Sequence, residues 1–557
     1  MELINQHTKR IMEACKERAR AAGLRFDDET LEYVVTNKDL IELSPKVMIP
    51  TLYDYWVHDV EVLKGKGRYE LYPNNPYETV INTRPAISFY NDNNPDWLNV
   101  MIFYHVLGHI DFFQNNHLYR HTWDEDFAGQ ALSDKRFISM LRSEKGHWVD
   151  YVIEFTRSID NLVGYYRELS DYDGAAAGGS ATRLDYYFDV FLQSVRNEKV
   201  TDYLREIDRY NDCTRQYDQM AESVFFSEVT RRYPEFDALF DRHRKASRPA
   251  PRDLIQVLAQ QSPFLQREEN RWMKPVMQIV RKTSLFFQPQ IRTKIMNEGW
   301  ASFWHDRLFR SDDRIRGHEV DYARVNAWVT SLPRVGLNPY ALGMRLFEAI
   351  EEKADQGRFS FAFEKIRSAR ERRRFDAKTG QGLEAIFSVR EQLSDFLFIN
   401  TFIDQDFVDR HKLFVVGKRM NKAKGVWEYF VRSRSAEAYR AMLQESLYHP
   451  PYVEVDEEKS TEGCLYLSHV FEGKPLVQEY IGNTLLGIAY LWGGSVKLET
   501  TERVPSARQE SVPAIYGYTA PQPPADRQPT YRRVVYEMAD RKLSKSILEE
   551  DNHQARS

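Results

Sequence analysis

Cysteine is scarce in this chain: Cys15, Cys213 and Cys464 are the only three among 557 residues, and they stand far apart. That spacing excludes a disulfide scaffold and a CxxC metal knuckle, and it fits a reducing compartment. Long apolar runs are missing too. The most apolar stretch, Leu485 to Trp492, falls well short of the roughly 20 residues that cross a bilayer. Met1 to Leu40 mixes charge with apolar residues at helical spacing, unlike a signal peptide, so the expected location is the cytoplasm. Neither sign of charge dominates: Lys+Arg 77 against Asp+Glu 82 leaves a formal net charge of −5. No global positive field therefore holds nucleic acid or an anionic membrane. Walker motifs, dinucleotide fingerprints and nucleophile elbows are also absent.

What remains is apolar mass. With 42% hydrophobic and 13% aromatic residues the chain can build a sizeable core, and its length predicts more than one domain. The patterning reads as α+β. Residues 1–378 are expected to form an α-rich domain with a small sheet, 379–500 a small α+β domain, and 501–557 a flexible tail. In the first part Thr79 to Asn82 and Ala86 to Tyr90 read as strands. The turn cluster Asn91 to Asn94 then offers Asn94 as a helix cap and Pro95 as a first helical residue, with a helix to about Phe113. The sequence reads helical from there to about 378, broken at Gly174 to Ala181 and Ser247 to Pro251. In the second part, strands are expected at 412–417, 426–432, 452–455, 465–470 and 496–499, with helices at 435–447 and 475–492. The tail shows no periodicity before a short helical stretch near Val534 to Leu548.

Two constellations carry chemistry. In His105-Val106-Leu107-Gly108-His109 the i, i+4 spacing turns both imidazoles to one face of a helix, within reach of one ion. At about 100° per residue they share a stripe with Leu98, Ile102 and Phe112, the core-facing side. Glu298 and His305, in Asn297-Glu298-Gly299-Trp300-Ala301-Ser302-Phe303-Trp304-His305, lie two turns apart with Ile291, Ile295, Ser302 and Phe309. A carboxylate in an apolar stripe is costly unless paired or metal-bound, and two neutral imidazoles suit zinc or iron. The expectation is one divalent site, zinc by preference, made by His105, His109 and Glu298 on two helices. His305 is the candidate acid or base, or a fourth ligand, and Tyr340 a candidate proton donor. The bland alternative is a pair of hydrogen-bonded core histidines. The run Lys365 to Arg374 could grip an anion, although a solvated helix face is its simpler reading.

The pattern is similar to that of zincins, in which HExxH supplies two ligands and the base, and a downstream Glu, in some within NEGxA, the third ligand. Ala86 to Tyr90 stands where a zincin edge strand would. Position 106, however, is Val, so the usual general base is missing. The blocks Tyr77 to Asn82, His105 to Asn116, Lys294 to His305 and Gly336 to Gly343 resemble the signatures of the stage V sporulation protein R (SpoVR) family, as does Leu491 to Leu498. The resemblance spans roughly residues 5 to 500. It implies a bacterial cytoplasmic protein acting in spore cortex formation or a stress or envelope pathway. A PrkA-type serine kinase and a von Willebrand A-like protein are its implied partners. It supplies no reaction: Val106 tilts the reading towards a regulatory metal site, with a gluzincin-like metal-dependent hydrolase of an amide or peptide bond as the alternative.

Overall fold

The computed structural model describes residues 2–27, 29–36, 78–123, 127–163, 183–196, 200–217, 221–240, 253–333, 335–421, 425–447, 450–471, 474–504 and 530–549. The expected breaks at Gly174 to Ala181 and Ser247 to Pro251 lie outside these residues. The described chain is α+β, rich in helix with small sheets. It forms two compact units: residues 1–161, 267–452 and 477–491 make the first, and 162–266, 453–476 and 492–557 the second. The boundary expected after residue 378 falls inside the first unit.

The first unit opens on a sheet of order β1-β2-β4-β3, formed by β1 (Glu2–Leu3), β2 (Thr30–Val35), β3 (Glu78–Ile81) and β4 (Ala86–Asn91). β2 and β4 run parallel, while β3 pairs antiparallel with β4. The strand expected at an edge, Ala86 to Tyr90, is therefore internal. The β-branched and aromatic run of β2 covers its other side, and β3 takes the edge.

Helix α1 (Gln6–Ala21) is capped by Asn5, whose side chain accepts from the Thr8 N–H. Helix α2 (Asp96–Asn115) begins after Pro95, which stands at the cap itself without a side-chain bond. Every residue of α2 from Leu98 to Phe113 is buried, so the helix is central rather than one-faced. Helix α3 (Met273–Arg292) ends at Thr293, and α4 (Lys294–Arg310) starts immediately after it. Ile291, expected on the Glu298 stripe, belongs to α3 and is exposed, because the break at Thr293 resets the helical phase. Asp395 Oδ2 and Oδ1 accept from the Ile295 and Met296 N–H groups at 2.8 Å each, satisfying two donors that the start of α4 would otherwise leave bare. Helix α5 (Glu319–Val329) follows, and α6 (Pro339–Asp355) is capped by Asn338 with Pro339 in its first turn.

Small residues set how closely these helices approach. A Cβ on Gly108 would stand 2.8 Å from Ala301 Cα, and one on Gly299 would stand 2.3 Å from Gly343 Cα. Backbone thus meets backbone where α4 crosses α2 and α6. Trp300, Trp304 and Phe347 pack together beside the crossings and are fully buried, each contributing about 1.5–3 kcal/mol of transfer free energy.

The second unit carries a sheet of order β11-β10-β9-β8-β7, comprising β7 (Tyr452–Val455), β8 (Cys464–Val470), β9 (Ser495–Arg503), β10 (Tyr531–Ala539) and β11 (Lys542–Glu549). Residues 534–548, read from sequence as tail or helix, are instead a hairpin paired along its whole length. A separate pair, β5 (Val415–Asn421) and β6 (Val426–Ser433), lies in the first unit, close to the expected bounds.

Candidate metal centre

Helices α2 and α4 bring His105, His109 and Glu298 together: one ligand atom from each lies within 4.8 Å of the other two. His105 Nε2 and His109 Nε2 are 3.1 Å apart, and Glu298 Oε2 lies 3.9 and 3.6 Å from them. Ligands about 2.1 Å from a tetrahedral ion are separated by about 3.4 Å, so the triangle has the size of one face of such a shell. The carboxylate side chain is 17% exposed and the imidazoles 6% and 8%.

Hydrogen bonding behind the triangle decides which atoms carry protons. Asn326 Nδ2 donates to Asp306 Oδ1 at 2.9 Å, which turns Asn326 Oδ1 towards His305 Nε2 at 3.0 Å. An amide oxygen can only accept, so His305 carries its proton on Nε2 and its Nδ1 is a bare acceptor. His105 Nδ1 lies 2.9 Å from that atom and supplies the proton, leaving the His105 Nε2 lone pair free. His109 is set the same way, with Nδ1 donating to Asn297 Oδ1 at 2.9 Å. Glu298 Oε2 is buried without any hydrogen-bond partner. Three ligand atoms thus lie together, with the imidazole protons placed on the far side of both rings. Burial, helped by the neighbouring His109 and His305 rings, holds His105 well below its ordinary pKa.

His305 does not join the triangle. It sits on the far edge of His105, with both ring nitrogens engaged, because its position on α4 carries it past the His105 Nε2 side. The structure thus places His305 against His105 and Asn326, outside the group formed by His105, His109 and Glu298. Tyr340 does face the site: its ring is stacked on His105 at 5.9 Å between centroids and borders the adjoining cavity. Asp111, two residues beyond His109, is engaged elsewhere and accepts from the Arg25 N–H and Trp300 Nε1 at 2.7 and 2.8 Å. Burial pushes its carboxyl up to about 6. Val106 is wholly buried, and its side chain brings no proton acceptor to the position that follows the first histidine.

A cleft of about 690 Å³ opens beside the triangle, with His109, Glu298, Asn297 and Tyr340 on its wall. Residues that sequence reasoning missed also line it: Asp160, Gln288 and Lys294. Asp160 is pushed up to about 6 by burial, against the pull of Arg157. Only the helical stripe 284, 288, 291 was available in the sequence as a signal for this wall. The basic run is mostly exposed; Arg372 turns in to the Phe363 and Ile366 carbonyls.

The chain matches the family described as SpoVR like protein over residues 3–449, and it belongs to that family. It is also 24% identical over 332 residues to the uncharacterized protein YcgB of Escherichia coli (strain K12), an alignment covering 57% of this chain and 58% of that protein. The chain thus spans under two thirds of that relative's length. No solved structure matches it. Among the described residues no helix is long and apolar enough to cross a membrane.

Proposed function

We propose that the chain is a metal-dependent hydrolase of an amide or peptide bond, with a divalent ion held by His105, His109 and Glu298. Two neutral imidazoles and one carboxylate suit zinc. The observation that carries this reading is the meeting of three ligand atoms at close to tetrahedral spacing, one of them a buried carboxylate oxygen with no hydrogen-bond partner. An ion there would supply Lewis acidity and lower the pKa of a water. Asn297 and His305 orient the two rings from behind, and Tyr340 offers its phenol to a substrate oxygen. The cleft beside Glu298 is large enough for a peptide-sized ligand. A strand preceding a helix with the histidine pair, and a third ligand from a downstream Asn-Glu-Gly segment, make the arrangement zincin-like.

The buried Val106 favours a second reading, a regulatory metal clasp. That clasp would serve, in the cytoplasm, the spore cortex or envelope stress pathway implied by the family, with the PrkA-type kinase and von Willebrand A-like protein as partners. The cleft on the ligands' own side weighs for the hydrolase. The test is elemental analysis of protein purified without a histidine tag, followed by hydrolysis assays on dye-labelled casein. Close to one zinc per chain, lost in His109→Ala, together with zinc-dependent cleavage, is expected. Absence of metal overturns both readings, and metal without cleavage leaves the clasp.

A further inference from the structure

The cleft itself carries a statement about what enters it. Thr79 and Val80, consecutive residues of β3, both border it. Neighbouring residues of a strand point to opposite faces, so a cavity touching both looks onto the strand's edge rather than one of its faces. The inner edge of β3 is taken by β4, and among the described residues no strand pairs with the outer one. On the same lining stands Gln288, only 2% exposed. Its Nε2 is 3.2 Å from the Asp160 carbonyl and 3.3 Å from Ser284 Oγ, while its Oε1 is buried with no hydrogen-bond partner. A buried acceptor left bare is costly, and an N–H from an occupant would satisfy it. Lys294 is exposed and forms no salt bridge among the described residues. It sits four residues before Glu298, so on α4 the two side chains are neighbours.

Resting on the hydrolase reading above, we propose that the cleft receives an extended peptide paired along the outer edge of β3. One of its amide N–H groups donates to Gln288 Oε1, and a carboxylate of the peptide is held by Lys294 one turn from Glu298. Backbone pairing would give affinity without regard to side chains, and the lysine would select acidic or carboxyl-terminal ends.

Fluorescence anisotropy on the full chain tests this with a fluorescein-labelled hexapeptide of alternating threonine and valine, made both as the free carboxylate and as the amide. The carboxylate form is expected to bind about tenfold more tightly. Lys294→Gln should bring the two forms together, and Gln288→Leu should weaken both. Equal binding of the two forms by the unaltered protein, or a preference that survives Lys294→Gln, overturns the proposal. The lysine variant keeps the test decisive if Gln288→Leu fails to fold. Zinc titration of the same samples separates the two claims. Zinc bound without the carboxylate preference sinks the peptide assignment alone. The preference without zinc sinks the hydrolase reading and leaves the peptide site standing.

Discussion

Asn326 and Asp306 belong to no ligand set, yet they determine where two protons sit. If Asn326 lost its oxygen, His305 Nε2 would have no acceptor, and the tautomer that frees His105 Nε2 would lose its support. Asn326→Leu should therefore weaken zinc binding about 10- to 100-fold in a chelator competition, and the buried donor left bare should cost the fold about 1–3 kcal/mol. An unchanged affinity would show that the Asn326 bond does not orient His105. A second network belongs to folding rather than to the site. The Asp312 carboxylate, with no exposed side-chain surface, accepts from Tyr104 at 2.7 Å and from Arg314 Nε at 2.9 Å. Arg314 hydrogen bonds hold its pKa at about 2, below the ordinary 3.8, against the opposing effect of burial. A depressed carboxyl stabilises the fold above the unfolded value and loses that contribution as pH falls through the folded one. Between pH 5 and pH 2 the fold should lose about 2 kcal/mol from this group in urea titrations. Asp312→Asn should flatten that part of the profile. Single residues were unevenly legible. The 105/109 spacing announced the paired imidazoles, whereas Asn326, Asp160 and Gln288 sit at distances in sequence that no periodicity links to them.

Helix crossings set the reach of those side chains. A Cβ on Gly343 would fall 2.1 Å from the Ile295 carbonyl oxygen, which is backbone and cannot swing aside. Gly343→Ala should thus push α6 from α4, cost about 1–3 kcal/mol or more, and reduce zinc affinity as Glu298 shifts. Gly463→Ala, which meets nothing within 4 Å, is the control and should stay within about 0.5 kcal/mol. If both variants melt alike, close packing is not what fixes the ligands. At this scale the sequence was informative where period and punctuation agreed: Asn338-Pro339 began a helix, and the apolar stripe of α2 was real although the helix is buried all round. It misled in β10 and β11. There Val534, Val535 and Tyr536 are buried in succession, which hides the alternation of a strand. The turn between the strands puts Asp540 and Arg541 at φ 49° and 61° without the Asn-Gly pair that usually marks such a hairpin.

A ligand that binds only the folded protein stabilises it by mass action, and in a chain of two compact units the gain belongs to the unit that holds the ligand. All three donors lie in the first unit, on α2 and α4. The sheet from β7 to β11 has its own buried strands, including Leu465, Leu467, Val496 and Val534. Zinc at about 100 times its dissociation constant should add about 2.7 kcal/mol to the first unit. Hydrogen exchange followed by mass spectrometry reads this locally. Peptides from α2, α4 and α6 should exchange about a hundredfold more slowly with zinc wherever exchange requires opening of that unit, while peptides from β9 and β10 serve as an internal reference. Adding zinc to His109→Ala should leave both sets unchanged. Slowing confined to β9 and β10, or equal slowing in the His109→Ala protein, would place the ion elsewhere, because protection can follow only from ligands the folded unit supplies.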